Sequence, residues 1–268
     1  MFVQLALALA ATLFAPSPAR AAAMQNPPVL SISAASANQD GQNSSQPVNL
    51  AGLGTARTAK KKLAIVLFPD FETLDVFGPV EMWGRLPDYE VVMVSEHGGL
   101  VRSSQGVETK ATYSFADAPQ FDILMIPGGG GTRREVNNPA MLDFLRRQDR
   151  GTEYTTSVCT GAAVLAKAGL LAGHKATTNK RAWTWATSQD GKVDWQPSAR
   201  WVVDGKYVTS SGVSAGTDMA LGLVERLYGR ERAIQTAQGA EYIWNDVATD
   251  DPFAVDMAGH PVRQKANP

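Results

Sequence analysis

The chain has one cysteine, and its neighbours make it the first place to look for chemistry. It stands in Ser157-Val158-Cys159-Thr160-Gly161, preceded by the β-branched and aromatic residues 154–158 and followed by Ala162, Leu165 and Ala166, which suit a helix. The pattern predicts a strand that runs into Cys159, turns sharply and leaves as a helix. Such an elbow, with small residues on either side, lifts a nucleophile to the edge of a sheet. A thiol in the first helical turn also faces unpaired backbone N–H groups, which stabilise the thiolate and predict a lowered pKa. The competing reading is a buried structural cysteine, since free Cys is among the most buried residue types.

Two other stretches have the same organisation. Residues 63–68 (Leu-Ala-Ile-Val-Leu-Phe) form a continuous apolar run, and Asp75 follows shortly after it. Residues 121–126 are a second run, ending in Pro127 and the four glycines 128–131. Continuous apolar runs are expected of strands buried on both faces of a parallel sheet. In such folds sites collect beyond the carboxyl ends of the strands, so Asp75, the glycine run and Cys159 with Thr160 are predicted to meet at one sheet edge. Each has a plainer reading. Asp75 suits a helix cap, and the glycines suit an ordinary turn. The glycine run lacks the Lys-Ser/Thr ending of a phosphate loop, so its functional reading is a source of backbone donors, Gly129 and Gly130, for developing negative charge.

The remaining elements must hold these three pieces. Residues 71–85 read as a helix, 89–94 as a strand and 106–113 as a short exposed hairpin. Asn138-Pro139 opens a helix to Gln148, and 180–188 reads as a further helix carrying Trp183 and Trp185, either core or pocket wall. Residues 201–203 and 207–209 flank an Asp204-Gly205 turn and predict a hairpin; Ser214 opens a helix closed by Gly229. Alternating strands and helices predict an α/β, flavodoxin-like sandwich: a mostly parallel sheet with helices on both faces and a nucleophile elbow.

A net charge of −1 over 268 residues offers no basic footprint for nucleic acid. One cysteine cannot form a disulfide within the chain, and His97, His174 and His260 lack ligand spacing, so no metal is expected. Residues 5–14 are an apolar run followed by small-residue cleavage sites around Ala19, Ala21 and Ala23, which predicts a signal peptide over 1–23 and a periplasmic or secreted protein; the run is too short for stable membrane insertion. A start at Met24 would instead leave the protein cytoplasmic. Residues 24–58 are rich in Ser, Asn, Gln, Ala and Pro and read as a disordered linker, 59–250 as the domain and 251–268 as a C-terminal tail.

Several ordered motifs together resemble the ThiJ/PfpI superfamily, whose fold is like that of class I glutamine amidotransferases. They are Phe68-Pro69 with Leu74-Asp75 and Gly78-Pro79, Ile126-Pro127-Gly128-Gly129, the 156–161 elbow, Ala168-Gly169-Leu170-Leu171 with Ala176-Thr177-Thr178, and 212–216 with Asp218. Asp75 before Gly78-Pro79, combined with Cys159-Thr160, is similar to the isonitrile hydratase branch. That resemblance implies Cys159 as nucleophile, Asp75 as acid/base, Thr160 as helper, a small-molecule substrate, no cofactor and a homodimer. Asn179 stands where relatives often carry His; with Trp183 it is assigned to the substrate pocket. Two other readings compete: a redox-responsive or chaperone-like cysteine protein without turnover, using a Glu such as Glu72 or Glu81, and a deglycase or amidohydrolase acting on small carbonyl compounds. The amidotransferase mechanism itself needs a His partner that neither His174 nor His260 suits.

Overall fold

A computed structural model of the protein describes residues 59–262. The expected signal peptide, its cleavage sites and the linker lie outside the described residues.

Strand β1 (Lys61–Leu67) leads into helix α1 (Thr73–Trp83), followed by strands β2 (Tyr89–Ser95), β3 (Gly99–Arg102), β4 (Glu108–Ala111), β5 (Tyr113–Ser114) and β6 (Ile123–Ile126). Helices α2 (Thr132–Glu135) and α3 (Pro139–Asp149) precede β7 (Tyr154–Ser157), the elbow and α4 (Gly161–Lys167). Then come β8 (Lys175–Ala176), α5 (Trp183–Thr187), β9 (Asp194–Trp195), β10 (Trp201–Asp204), β11 (Tyr207–Ser210), α6 (Ala215–Tyr228) and α7 (Arg230–Gly239). The main sheet has the order β10-β11-β7-β6-β1-β2-β5. Every neighbouring pair is parallel except the β10–β11 hairpin.

The continuous apolar runs occupy the centre of this sheet. Residues 63–67 and 123–126 are fully buried, as strands covered by helices on both faces must be. Because β1, β6 and β7 are parallel neighbours, their carboxyl ends emerge together, with Ile126 level with Ser157. The three chemistry-bearing stretches therefore arrive at one edge, which is the placement the sequence predicts.

Local signals mark α3 and the second hairpin well. Asn138 caps α3 by accepting from the Ala140 N–H at 3.0 Å, and Gly205 turns the β10–β11 hairpin with φ of 60°. Two expectations need correction, and one element went unanticipated. The exposed hairpin pairs β3 with β4, so its first strand begins at Gly99, upstream of the 106–113 span; weak alternation marks only the second strand. The helix expected over 180–188 begins at Trp183, because the Asn179 side chain accepts from the Ala182 N–H at 2.9 Å while Lys180 turns inward and is buried. Helix α7 follows Gly229 directly, and its low apolar content hid it from the periodicity.

Residues 251–262, read as part of a tail, pack on the domain within the described residues. Asp251 and Val255 are buried, and the carbonyls of Met257 and Ala258 accept from Trp183 Nε1 and Thr184 Oγ1.

Candidate active site

Asp75 lies in the first turn of α1, one turn beyond β1, and is fully buried. It is not the capping residue; Glu72 occupies the N-cap position. Its Oδ2 accepts a hydrogen bond from the Gly128 N–H at 2.8 Å, while Oδ1 is buried with no hydrogen-bond partner. Among the described residues no cation pairs with this carboxyl. Burial, reinforced by the nearby Glu72 charge, therefore pushes its pKa well above the ordinary carboxylate value, against the smaller pull of the Gly128 N–H and the adjacent Cys159. Burial thus biases the group toward the neutral acid.

Cys159 sits beside that carboxyl at the tip of the elbow, in the left-handed region with φ of 57°. A non-glycine residue there carries strain of about 1–3 kcal/mol, which the surrounding hydrogen bonds must hold in place. They are present: the Cys159 N–H points at the carbonyls of Ser210 and Ser211, and its carbonyl accepts from Thr178 Oγ1 at 2.9 Å. The sulfur faces the Thr160 N–H, the Thr160 hydroxyl and the Asn179 side chain, all of which favour a thiolate. Burial outweighs them, and the Asp75 charge adds to burial, so the thiol pKa is raised well above its usual value. This reverses the lowered pKa expected from the helix terminus. Desolvation of the whole sulfur exceeds what the end of a seven-residue helix supplies.

Thr160 is almost fully buried, and its expected role changes in detail. Its Oγ1 accepts from the Gly129 N–H at 3.2 Å and lies 3.1 Å from Thr132 Oγ1; none of its hydrogen bonds reaches Asp75. It ties the glycine turn to the elbow. Gly129 is consequently no free donor, since its N–H is spent on Thr160. Gly130 lines the cavity directly after the bridge that pairs Gly129 with Phe71. The backbone donor that faces the sulfur is the Thr160 N–H. The glycines are required by close approach: a Cβ on Gly128 would stand 2.7 Å from the Thr160 nitrogen.

These groups open into a cavity of about 610 Å³ lined by Glu72, Gly129, Gly130, Arg133, Cys159, Thr160, Asn179, Arg181 and Trp185 among others. That volume suits a small molecule. Asn179 is placed as expected: a Cβ on Gly212 would meet both its Nδ2 at 2.5 Å and Cys159 Sγ at 2.7 Å. Trp183 is not. It is buried beneath the C-terminal segment with its Nε1 bonded to Met257, and Trp185, two residues on, forms the wall instead. A helix turns 100° per residue, so residues two apart face different ways. Lys180 faces away, its Nζ donating to Thr177 Oγ1 and the Ala199 carbonyl, and burial lowers its pKa to about 8. None of the histidines lines the cavity, and His174 pairs with Asp204 at 3.2 Å. Among the described residues no group of three His, Cys, Asp or Glu side chains is placed to hold a metal ion, and no helix is long and apolar enough to cross a membrane. Sequence reading singled out neither Arg133 nor Arg181, because nothing in the chain distinguishes them from surface arginines.

A strained cysteine on a strand-to-helix elbow, faced by an acid from the first helix of a flavodoxin-like sandwich, defines a class, and comparison with known proteins agrees. The DJ-1/PfpI family model matches residues 61–226, and the chain belongs to that family. It is 36% identical over 181 residues to an isonitrile hydratase of Pseudomonas putida, covering 68% of this chain and 78% of that protein. It is 26% identical to protein dj-1beta of Drosophila melanogaster, covering 69% of this chain and 99% of that one. Among solved structures, a ThiJ/PfpI family protein from Pseudomonas syringae superposes with a TM-score of 0.64 at 30% identity, covering 68% of this chain and 75% of that one.

Proposed function

We propose that this protein hydrates isonitriles to N-substituted formamides. One observation carries the reading: a fully buried carboxyl, with one oxygen unpartnered among the described residues and its pKa raised by burial, lies against the only thiol of the chain. An isonitrile carbon must accept a nucleophile and a proton at the same atom, and this pair offers both. The similarity to the Pseudomonas putida protein supports the same assignment.

In the first step the Asp75 carboxyl gives its proton to the terminal carbon as the Cys159 sulfur bonds to it. The S–H bond breaks and the thiol proton replaces the one Asp75 gave, so the product is a thioimidate and Asp75 is neutral again. This exchange needs no free thiolate, in keeping with the raised pKa of both groups. Water then adds to the carbon, Asp75 protonating the nitrogen and recovering a proton from the water. Collapse breaks the C–S bond, the new hydroxyl proton passes to sulfur, and the formamide leaves. The Thr160 N–H, which faces the sulfur, steadies charge that develops there.

The purified protein should convert a simple alkyl isonitrile such as butyl isonitrile to the formamide, read from the formyl proton by NMR. Cys159→Ala should form none while keeping its far-UV spectrum; product at the wild-type rate in that variant would rule the mechanism out. The reading without turnover draws on Glu72, which lines the same cavity. It requires a reactive thiolate, which burial of Cys159 disfavours. An exported protein and a homodimer complete the proposal; the mature N-terminal residue and the mass in solution test them.

A further inference from the structure

The cavity has a second chemical feature that hydration of the isonitrile group does not use. Arg133 lines it, with its guanidinium stacked 3.9 Å from the centre of the Trp185 ring. Arg133 Nη1 reaches Thr132 Oγ1 at 3.1 Å, which further fixes the plane of the group. Arg181 lines the same cavity two residues after Asn179. Among the described residues, neither arginine has a carboxylate partner, although eleven other arginine, lysine and histidine side chains do, as Arg134 has Asp70 and Arg85 has Glu81. The one acidic side chain on the wall, Glu72, accepts from Gln105 Nε2 at 2.8 Å. Two permanent positive charges thus line the cavity that holds the thiol, one of them stacked on an aromatic ring.

A guanidinium presents five N–H donors in a plane that matches a carboxylate, and stacking on an aromatic ring reduces the freedom lost when it binds. Arg133 uses only part of that set, through Thr132 Oγ1 and a long approach to the Gly129 carbonyl. We infer that the cavity selects small molecules carrying a carboxylate, held between Arg133 and Arg181, and that the isonitrile substrate is an isocyano acid and not a neutral hydrocarbon isonitrile. The reacting class rests on the function proposed above; the anion preference rests on the two arginines alone.

Two measurements separate these claims. The first is binding to full-length Cys159→Ala protein, by calorimetry, of 3-formamidopropanoate and of its neutral N-methylamide. The carboxylate should bind about five- to tenfold more tightly at low salt, as expected for a guanidinium–carboxylate contact that is partly open to water. The difference should shrink at high ionic strength and vanish in Arg181→Gln and in Arg133→Gln, each combined with Cys159→Ala, while the neutral compound binds equally in all three proteins. Glu72→Gln should instead widen it, by removing the only carboxylate on the wall. The second is turnover of 3-isocyanopropanoate against its methyl ester by protein with Cys159 intact, where the preference should appear in KM. Equal binding of the charged and neutral compounds, or a preference that survives both arginine substitutions, overturns the inference whatever the turnover. An intact binding preference without formamide formation from either isonitrile sinks the proposed reaction and leaves the anion site standing.

Discussion

Two aspartates of this protein are equally buried and do opposite things. Asp218 in α6 is fully enclosed and fully partnered: Arg200 Nε and Nη2 approach its Oδ2 at 2.7 and 2.5 Å, and Oδ1 accepts from Tyr242 Oη and the Asn245 N–H, both at 3.0 Å. Asp75 in α1 has one backbone N–H, an orphaned oxygen and no cation. Asp218 ties α6 to Arg200, just before β10, and to the segment after α7, and Asp251 stands 3.8 Å from the same guanidinium. Asp75 ties nothing across the sheet beyond the Gly128 turn. A buried carboxyl surrounded by donors is a structural joint, whereas one denied them is kept protonated and available for transfer.

The comparison fails first if the two residues exchange phenotypes. Asp75→Asn keeps the shape and the Gly128 bond but has no proton to pass, so formamide turnover should fall about 10³-fold, within the range expected for losing a general acid–base, with its urea midpoint at neutral pH unchanged or raised. Asp218→Ala should do the reverse. It strands a buried guanidinium and should lower unfolding free energy by about 3–5 kcal/mol, read by urea titration, while the fraction still folded turns over normally.

A smaller effect sharpens the contrast. Because the folded-state pKa of Asp75 lies above its unfolded value, the folded protein holds a proton that the unfolded chain gives up as pH rises past about 4. Wild-type stability relative to Asp75→Asn should therefore be greatest at acid pH. It should fall by at most about 1.4 kcal/mol per pH unit until the folded-state pKa is passed. Urea midpoints of both proteins at several pH values test this, and a wild-type advantage that grows with pH would show the carboxyl to be stabilised as the anion. The least effect concerns the thiol. Alkylation of Cys159 by iodoacetamide should be slow at neutral pH and accelerate only above the usual thiol range, and in Asp75→Asn the onset should move to lower pH, giving roughly a severalfold faster reaction at a fixed pH, because the charge opposing the thiolate is gone.

The parts of this fold that were readable beforehand are those written in local chemistry. Continuous apolar runs marked β1 and β6, Asn138-Pro139 opened α3, Asp204-Gly205 turned a hairpin, and the small residues around Cys159 foretold its elbow. Local pattern failed where a side chain's environment decided the outcome. Lys180 turned into the core and shortened α5, and Trp183 went under the C-terminal segment and left the cavity wall to Trp185.

The mostly parallel sheet, the elbow and the meeting of Asp75, the glycine turn and Cys159 at one edge followed from the residues themselves, because parallel strands of buried apolar sequence have only one place for their carboxyl ends to emerge. Protonation was decided by the tertiary structure. Whether a thiol at a helix terminus ionises depends on how much water the packed chain leaves around it, a quantity no short stretch of sequence contains. The same holds for Arg133 and Arg181, which came to line one cavity with the thiol only when α2 and the segment before α5 packed around it.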